Sequence, residues 1–140
     1  MELVFKEADR WLRQSEYDMK VAEWNLEGGY FFAACFWAQQ AAGKALRAFL
    51  FFNKEDTKET RSVVELLERA ITYNESFKEL VEPAGRLDLY YKTSRFPDAL
   101  PGGIPAEVFS VRDAREALRI AGDIIRLVEN VRKDYLPETL

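Results

Sequence analysis

The chain has 140 residues, 48% of them apolar and 14% aromatic, with a formal net charge of −4, one cysteine and no histidine. That length supports a hydrophobic core without disulfides or structural metal, and the apolar content excludes a disordered chain. The acidic balance excludes strong non-specific nucleic-acid binding while leaving a local basic site open, and one cysteine without histidine excludes a standard zinc site.

The residues Phe5, Ala8, Leu12, Ser15, Met19, Ala22 and Leu26 recur alternately three and four apart, the stripe of a long amphipathic helix. Gly28-Gly29 is expected to end it, and so short an interruption implies an antiparallel return. The opening MELVFKEADRW lacks a basic region followed by an apolar run, so no targeting segment is expected there. Tyr30–Phe52 follows as a helix apolar nearly all round. Phe32, Phe36, Gln39, Gly43, Leu46 and Leu50 form one face, and Phe31, Trp37, Phe49 and Phe51 lie on others. Such a helix is either central or half of a subunit interface. Cys35 within it is expected to be a buried structural thiol, in keeping with a reduced cytoplasmic setting. Gln39, Gln40, Lys44 and Arg47 interrupt the run, which is too short to span a bilayer, where about 20 apolar residues are needed.

A polar connector, NKEDTKET, leads to Ser62-Val-Val-Glu65. This spacing predicts a capping box, with Glu65 reaching back to the cap and Val64, Leu67 and Ile71 as the buried stripe. Tyr73–Ser76 reads as a turn. Phe77, Leu80, Ala84, Leu87 and Tyr91 continue a helical pattern in which Pro83 either kinks the helix or occupies its first turn. The stretch KTSRFPDALPGGIPAEVF, residues 92–109, holds three of the five prolines and a glycine pair. Phe96, Leu100, Ile104, Val108 and Phe109 mark it as an ordered crossover held by its own apolar residues. Ser110 and Asp113 then predict a helix start, with Ala114, Ala117, Leu118, Ala121, Ile125 and Val128 as the last stripe, an end near Lys133 and Pro137 beyond. The expected architecture is all-α: an antiparallel up-and-down four-helix bundle with an additional short helix, forming a single domain over residues 1–140.

Two stretches carry more than bundle patterning. Ala22–Tyr30 leads into Ala38-Gln-Gln-Ala-Ala-Gly-Lys-Ala-Leu-Arg-Ala48, and Thr93-Ser-Arg-Phe-Pro-Asp98 precedes the last helix. With SVVELLERA between them, their order and spacing from about Trp11 to Val131 resemble the HEPN domain family, helical bundles of prokaryotes and higher eukaryotes. The resemblance implies a nucleotide- or RNA-associated domain, commonly a homodimer, often working beside a minimal nucleotidyltransferase in a toxin–antitoxin-like pair. Some members are metal-independent ribonucleases that use an arginine and a histidine a few residues apart, paired across a dimer. This sequence departs from that pattern. Arg61 stands where relatives often place histidine, and Gly43 where they often carry an acidic residue. Arginine is effectively always charged, so it is a poor proton shuttle.

No catalytic residue, metal site or cofactor is therefore expected. The candidate nucleotide- or anion-binding residues are Arg95, Lys44, Arg61 and Arg47. Guanidinium matches phosphate geometry, and Lys44 and Arg47 share a helix face that Arg61 joins if the third helix packs nearby. For Arg95 the structural alternative is a pair with Asp98 or with loop carbonyls. Gly102-Gly103 and the helix start at Ser110 offer backbone N–H groups to an anion, although a turn explains the glycines as well. Three functions compete: a non-catalytic binding and assembly module, a divergent ribonuclease using Arg95 or Arg61, and a purely structural oligomer.

Overall fold

A computed structural model of the chain describes residues 2–57 and 59–136; Pro137 lies outside them. The described residues form helices α1 (Glu2–Glu27), α2 (Phe31–Phe52), α3 (Val63–Ile71), α4 (Val81–Thr93), the single turn α5 (Pro105–Val108) and α6 (Val111–Arg132). Short 3₁₀ turns occupy Glu75–Leu80, Pro97–Ala99 and Lys133–Tyr135. No strand occurs among the described residues, so the fold is all-α as expected. The crossover between α4 and α6 contains more regular structure than its sequence suggests, because Pro97 and Pro105 each start a short helical turn with their preset φ.

Contacts fix the helix directions. Asp9 near the start of α1 meets Arg132 at the end of α6, so these two helices are antiparallel. Tyr135, just beyond α6, stacks on Phe52 at the end of α2, which makes α2 and α6 parallel. Near the end of α4, Tyr91 faces Phe36 near the start of α2, while Phe77, ahead of α4, packs on Phe49. Thus α1 and α4 run one way, and α2 and α6 the other.

Helix α2 is the centre. It packs against α1, α3, α4 and α6, and Ala34, Ala38, Ala41, Ala42, Ala45 and Ala48 are wholly buried. These small side chains let neighbouring backbones approach closely, while Phe49, Leu46 and Leu50 fill the space between. Central packing is thus one role that α2 fills. Cys35 is fully buried, and burial pushes its thiol up to about 12, away from reactive thiolate chemistry.

The α1–α2 turn is closed by glycine. Gly29 adopts φ +82°, the Tyr30 N–H donates to the Asn25 carbonyl, and the Gly29 N–H to that of Leu26. This is the paired C-terminal motif that a left-handed residue permits. Along the same seam Ser15 Oγ donates to the Ala41 carbonyl (2.7 Å), and Asp18, only 2% exposed, accepts from Lys44 Nζ (2.5 Å) and Gln14 Nε2 (2.9 Å).

The start of α3 corrects two expectations. Ser62 caps the Glu65 N–H (3.1 Å), but the Glu65 carboxylate accepts from the Thr60 hydroxyl instead of closing a capping box. The buried residues are Val63, Leu66, Leu67 and Ala70, one position off the predicted stripe at two places. The reason is Asp88 on α4. Its carboxylate accepts from the Val63 N–H (2.6 Å), the Val64 N–H (3.1 Å) and Ser62 Oγ (2.7 Å). A carboxylate from another helix thus satisfies the free N–H groups that α3 would otherwise leave unpaired, and it sets the face that α3 buries.

Pro83 is the third residue of α4, in its first turn, where a missing N–H costs nothing. Ser110 and Asp113 form a full reciprocal capping box at the start of α6. The Asp113 carboxylate therefore occupies the helix start that the sequence offers to an anion. The crossover is not held by its own apolar residues as expected. Pro105 and Phe109 are buried, but Phe96, Ile104 and Val108 are 46%, 44% and 49% exposed. Across residues 94–110 the two short proline-started turns keep most side chains at the surface, while Phe109 joins the core and packs edge-on against Tyr90.

Replacing Asp88 by alanine should destabilise the chain by about 1–3 kcal/mol, the cost of leaving partly buried donors unmatched. Urea denaturation measures this, and a loss no larger than that of an exposed control such as Glu68→Ala would refute the capping role.

Candidate functional site

Gln40, Gly43, Lys44 and Arg47 lie on one face of α2, one turn apart, because three- and four-residue spacings repeat on the same side of a helix. Across from them is Arg61, in the segment entering α3. Its backbone is fixed from two sides: Gln39 Nε2 donates to the Arg61 carbonyl (3.1 Å), and Ser62 is locked by Asp88. Together these residues line a narrow cleft of about 40 Å³. That is room for about one water, whose share of liquid volume is near 30 Å³.

The three cations of the cleft differ in how they are matched. Lys44 is neutralised from behind by Asp18. The Arg47 guanidinium donates to the Thr60 carbonyl and lies over the Trp11 ring at 5.7 Å, while its buried Nε has no partner. Burial first, and then the nearby Arg61 charge, hold the Arg47 guanidinium below its ordinary range, with Glu59 and Asp56 opposing. It remains charged all the same. Among the described residues, no carboxylate lies within ion-pair distance of Arg61. Its guanidinium sits 5.9 Å from the Tyr91 ring centre.

Arg95 does not line the cleft, but it meets Arg61 on the same ring. Its Nε and Nη2 donate to the Tyr91 carbonyl (3.0 and 2.9 Å), one turn back, rather than to Asp98 or a loop carbonyl. The guanidinium lies 4.4 Å from the Phe36 ring centre and 4.8 Å from those of Tyr91 and Phe96. Two of its five N–H groups are thereby used and the residue remains exposed. The four predicted residues therefore occupy one strip of surface: Lys44, Arg47 and Arg61 around the cleft, with Arg95 joined through Tyr91.

In this strip guanidiniums offer forked donors to phosphate or carboxylate oxygens, and the Phe96 ring beside Arg95 is 46% exposed. Among the described residues no cluster of His, Cys, Asp or Glu is placed to hold a metal. Gly102-Gly103 is a turn, with Gly103 at φ +73°. Sequence reasoning missed Tyr91, Phe36, Asp18 and Asp88. Tyr91 and Arg95 are four apart on a helix end, a signal that was readable; the other three act only through long-range contacts.

A second polar seam lies between α1 and α6, where Asp9, Glu16, Glu129 and Arg132 border a groove of about 350 Å³. Arg132 bonds Asp9 at 2.8 Å. A hydrogen bond with Glu129, then burial, then the charges of Glu129 and Asp9 push the Glu16 carboxyl up to about 7, against the opposing pull of Arg132.

The HEPN domain family matches the chain over residues 8–131. A crystal structure of a protein from Thermus thermophilus superposes with TM-score 0.81 at 35% identity, covering 88% of this chain and 96% of that one. An archaeal HEPN homologue superposes with TM-score 0.74 at 32% identity, over 89% and 97% of the two chains. A HEPN domain protein from Thermotoga maritima gives TM-score 0.68 at 32% identity, over 87% and 96%. No curated protein matches.

The Glu16 shift makes stability depend on pH. The folded-state value lies above the ordinary 4.5, so the folded protein favours the protonated carboxyl. That contribution is complete below the unfolded value and is lost as pH rises through about 7. Glu16→Gln should flatten the stability profile across this window, as measured by urea midpoints against pH. Superimposable profiles for wild type and variant would refute the shared-proton pair.

Proposed function

Because the chain belongs to the HEPN domain family, we propose that it is a non-catalytic binding and assembly module for a nucleotide or RNA end, acting as one helical domain over residues 1–140. The observation that carries this reading is Arg61. It is a guanidinium without a carboxylate partner among the described residues, placed between Arg47 and the Tyr91 ring it shares with Arg95. A guanidinium without a carboxylate partner, set beside a second, partly buried one, favours an anionic ligand. Phosphate supplies the charge match, and a base supplies the face that stacks beside Phe36, Tyr91 or Phe96.

The assembly half of the reading rests on the crossover. Phe96, Ile104, Val108 and Val111 are each at least 36% exposed within a short span of chain. Apolar residues grouped in this way suit a protein contact. A homodimer, or a nucleotidyltransferase as partner, fits this surface and the family resemblance. Among the described residues, no helix is long and apolar enough to cross a membrane.

Titration with nucleotides and short RNA tests the binding half. Arg61→Ala and Arg95→Ala should each weaken binding by roughly tenfold, about 1.4 kcal/mol, and lower the salt dependence by about one ion each. Absence of binding to every probe by a monomeric protein would sink the proposal. RNA cleavage in chelator that is lost in Arg95→Ala would instead establish the divergent ribonuclease. Oligomers without any ligand would favour the purely structural reading.

A further inference from the structure

Gly43 is the residue of the cleft whose identity neither helix formation nor packing explains. It lies in the middle of α2, where glycine is among the least favourable residues. Its backbone is not in the left-handed region that would require glycine; among the described glycines only Gly29 and Gly103 have positive φ. The alanines of α2 are small because neighbouring helices press on them, and they are wholly buried. Gly43 is only partly buried, and a Cβ placed on it would meet nothing within 4 Å. An alanine would therefore fit and would favour the helix. Yet the glycine stands where α2 borders the cleft, beside Lys44, one turn from Gln40 and Arg47, and across from Arg61.

We propose that Gly43 is the floor of a phosphate subsite: its missing side chain lets one oxygen of a phosphate ester, about the size of the single water the cleft holds, settle against α2 between Lys44, Arg47 and Arg61 while the rest of the group stays outside. This rests on the binding role assigned to the cationic strip and deepens it by naming the group that enters the cleft. Glycine admits close approach of a ligand to backbone. It supplies proximity and not a hydrogen bond, because N–H groups within a helix are bonded to carbonyls four residues back. The donors are the unmatched Arg61 guanidinium and the Lys44 ammonium, with Arg47 adding charge at the cleft. Guanidinium suits a phosphate in this position because its planar fork matches two oxygens at once. Two sources present this chemistry, a free nucleotide and the backbone of a single strand.

The test pairs thermal melting of Gly43→Ala and Gly43→Leu with titrations of tripolyphosphate, ATP and a hexauridylate. Without ligand, Gly43→Ala should melt about 2–5 °C above wild type, since it gains helix propensity and clashes with nothing. It should nevertheless bind more weakly, and Gly43→Leu should lose roughly tenfold or more. Loss for tripolyphosphate and ATP assigns the subsite to a free nucleotide's phosphates, whereas loss for the hexauridylate alone assigns it to a strand backbone. A lower melting temperature for Gly43→Ala would overturn the inference, because the glycine would then serve the fold. Unchanged binding by both variants, with binding lost in Arg61→Ala, would overturn it while leaving the cationic strip as the site. Failure of wild type to bind any probe would overturn both.

Discussion

The rest of the structure follows from the need to cover α2 on nearly every side. A helix with Phe, Leu and Cys spread around most of its circumference leaves water only the edge that carries Gln40, Lys44 and Arg47, and burying each large side chain contributes about 1.5–3 kcal/mol. Helices α1, α3, α4 and α6 each take one sector of it. The alanines set how near they come, and Phe49, Phe77, Leu46 and Leu50 fill what remains. Polar residues on α2 can then survive only where a partner waits. Gln39 finds the Arg61 carbonyl, Lys44 finds Asp18, and Arg47 finds the Thr60 carbonyl.

Those polar residues lie along one edge of α2, where α1 and the entry to α3 meet it. The cleft is thus a product of the same packing that makes the core. Its far wall depends on Asp88, which ties the N-terminus of α3 to α4 and so places Arg61 opposite Lys44 and Arg47. The same α4 carries Tyr91 and, just beyond its end, Arg95. One carboxylate therefore couples the geometry of the short helix to both halves of the cationic strip.

The strip is built from arginine, lysine and aromatic side chains. Arginine keeps its charge across the physiological range. The carboxyl poised near neutrality, Glu16, lies on the α1–α6 seam with Glu129, Asp9 and Arg132, and it affects folding stability in that place. The hidden thiol of Cys35 is equally removed from reaction.

Much of this was legible in the sequence because it depends on local periodicity. The stripe of α1, the glycine turn after it, the all-round apolarity of α2 and the cap at Ser110 each follow from spacings within a turn or two. So do the all-α class and the resemblance carried by QQAAGKALRA and SRFPD. Residue content alone also settled what chemistry was absent, since a chain without histidine cannot supply imidazole in any fold. Which polar residues meet was a matter for packing in three dimensions. Asp88 caps a helix 25 positions away from it at Val63, and Asp18 reaches Lys44 across 26. The crossover shows the same limit: its apolar residues read as a local core, but the span between α4 and α6 lets Phe109 reach inward and leaves Phe96, Ile104 and Val108 at the surface. Periodicity determines which side of an element is apolar, whereas the closing of long loops determines which charges become neighbours.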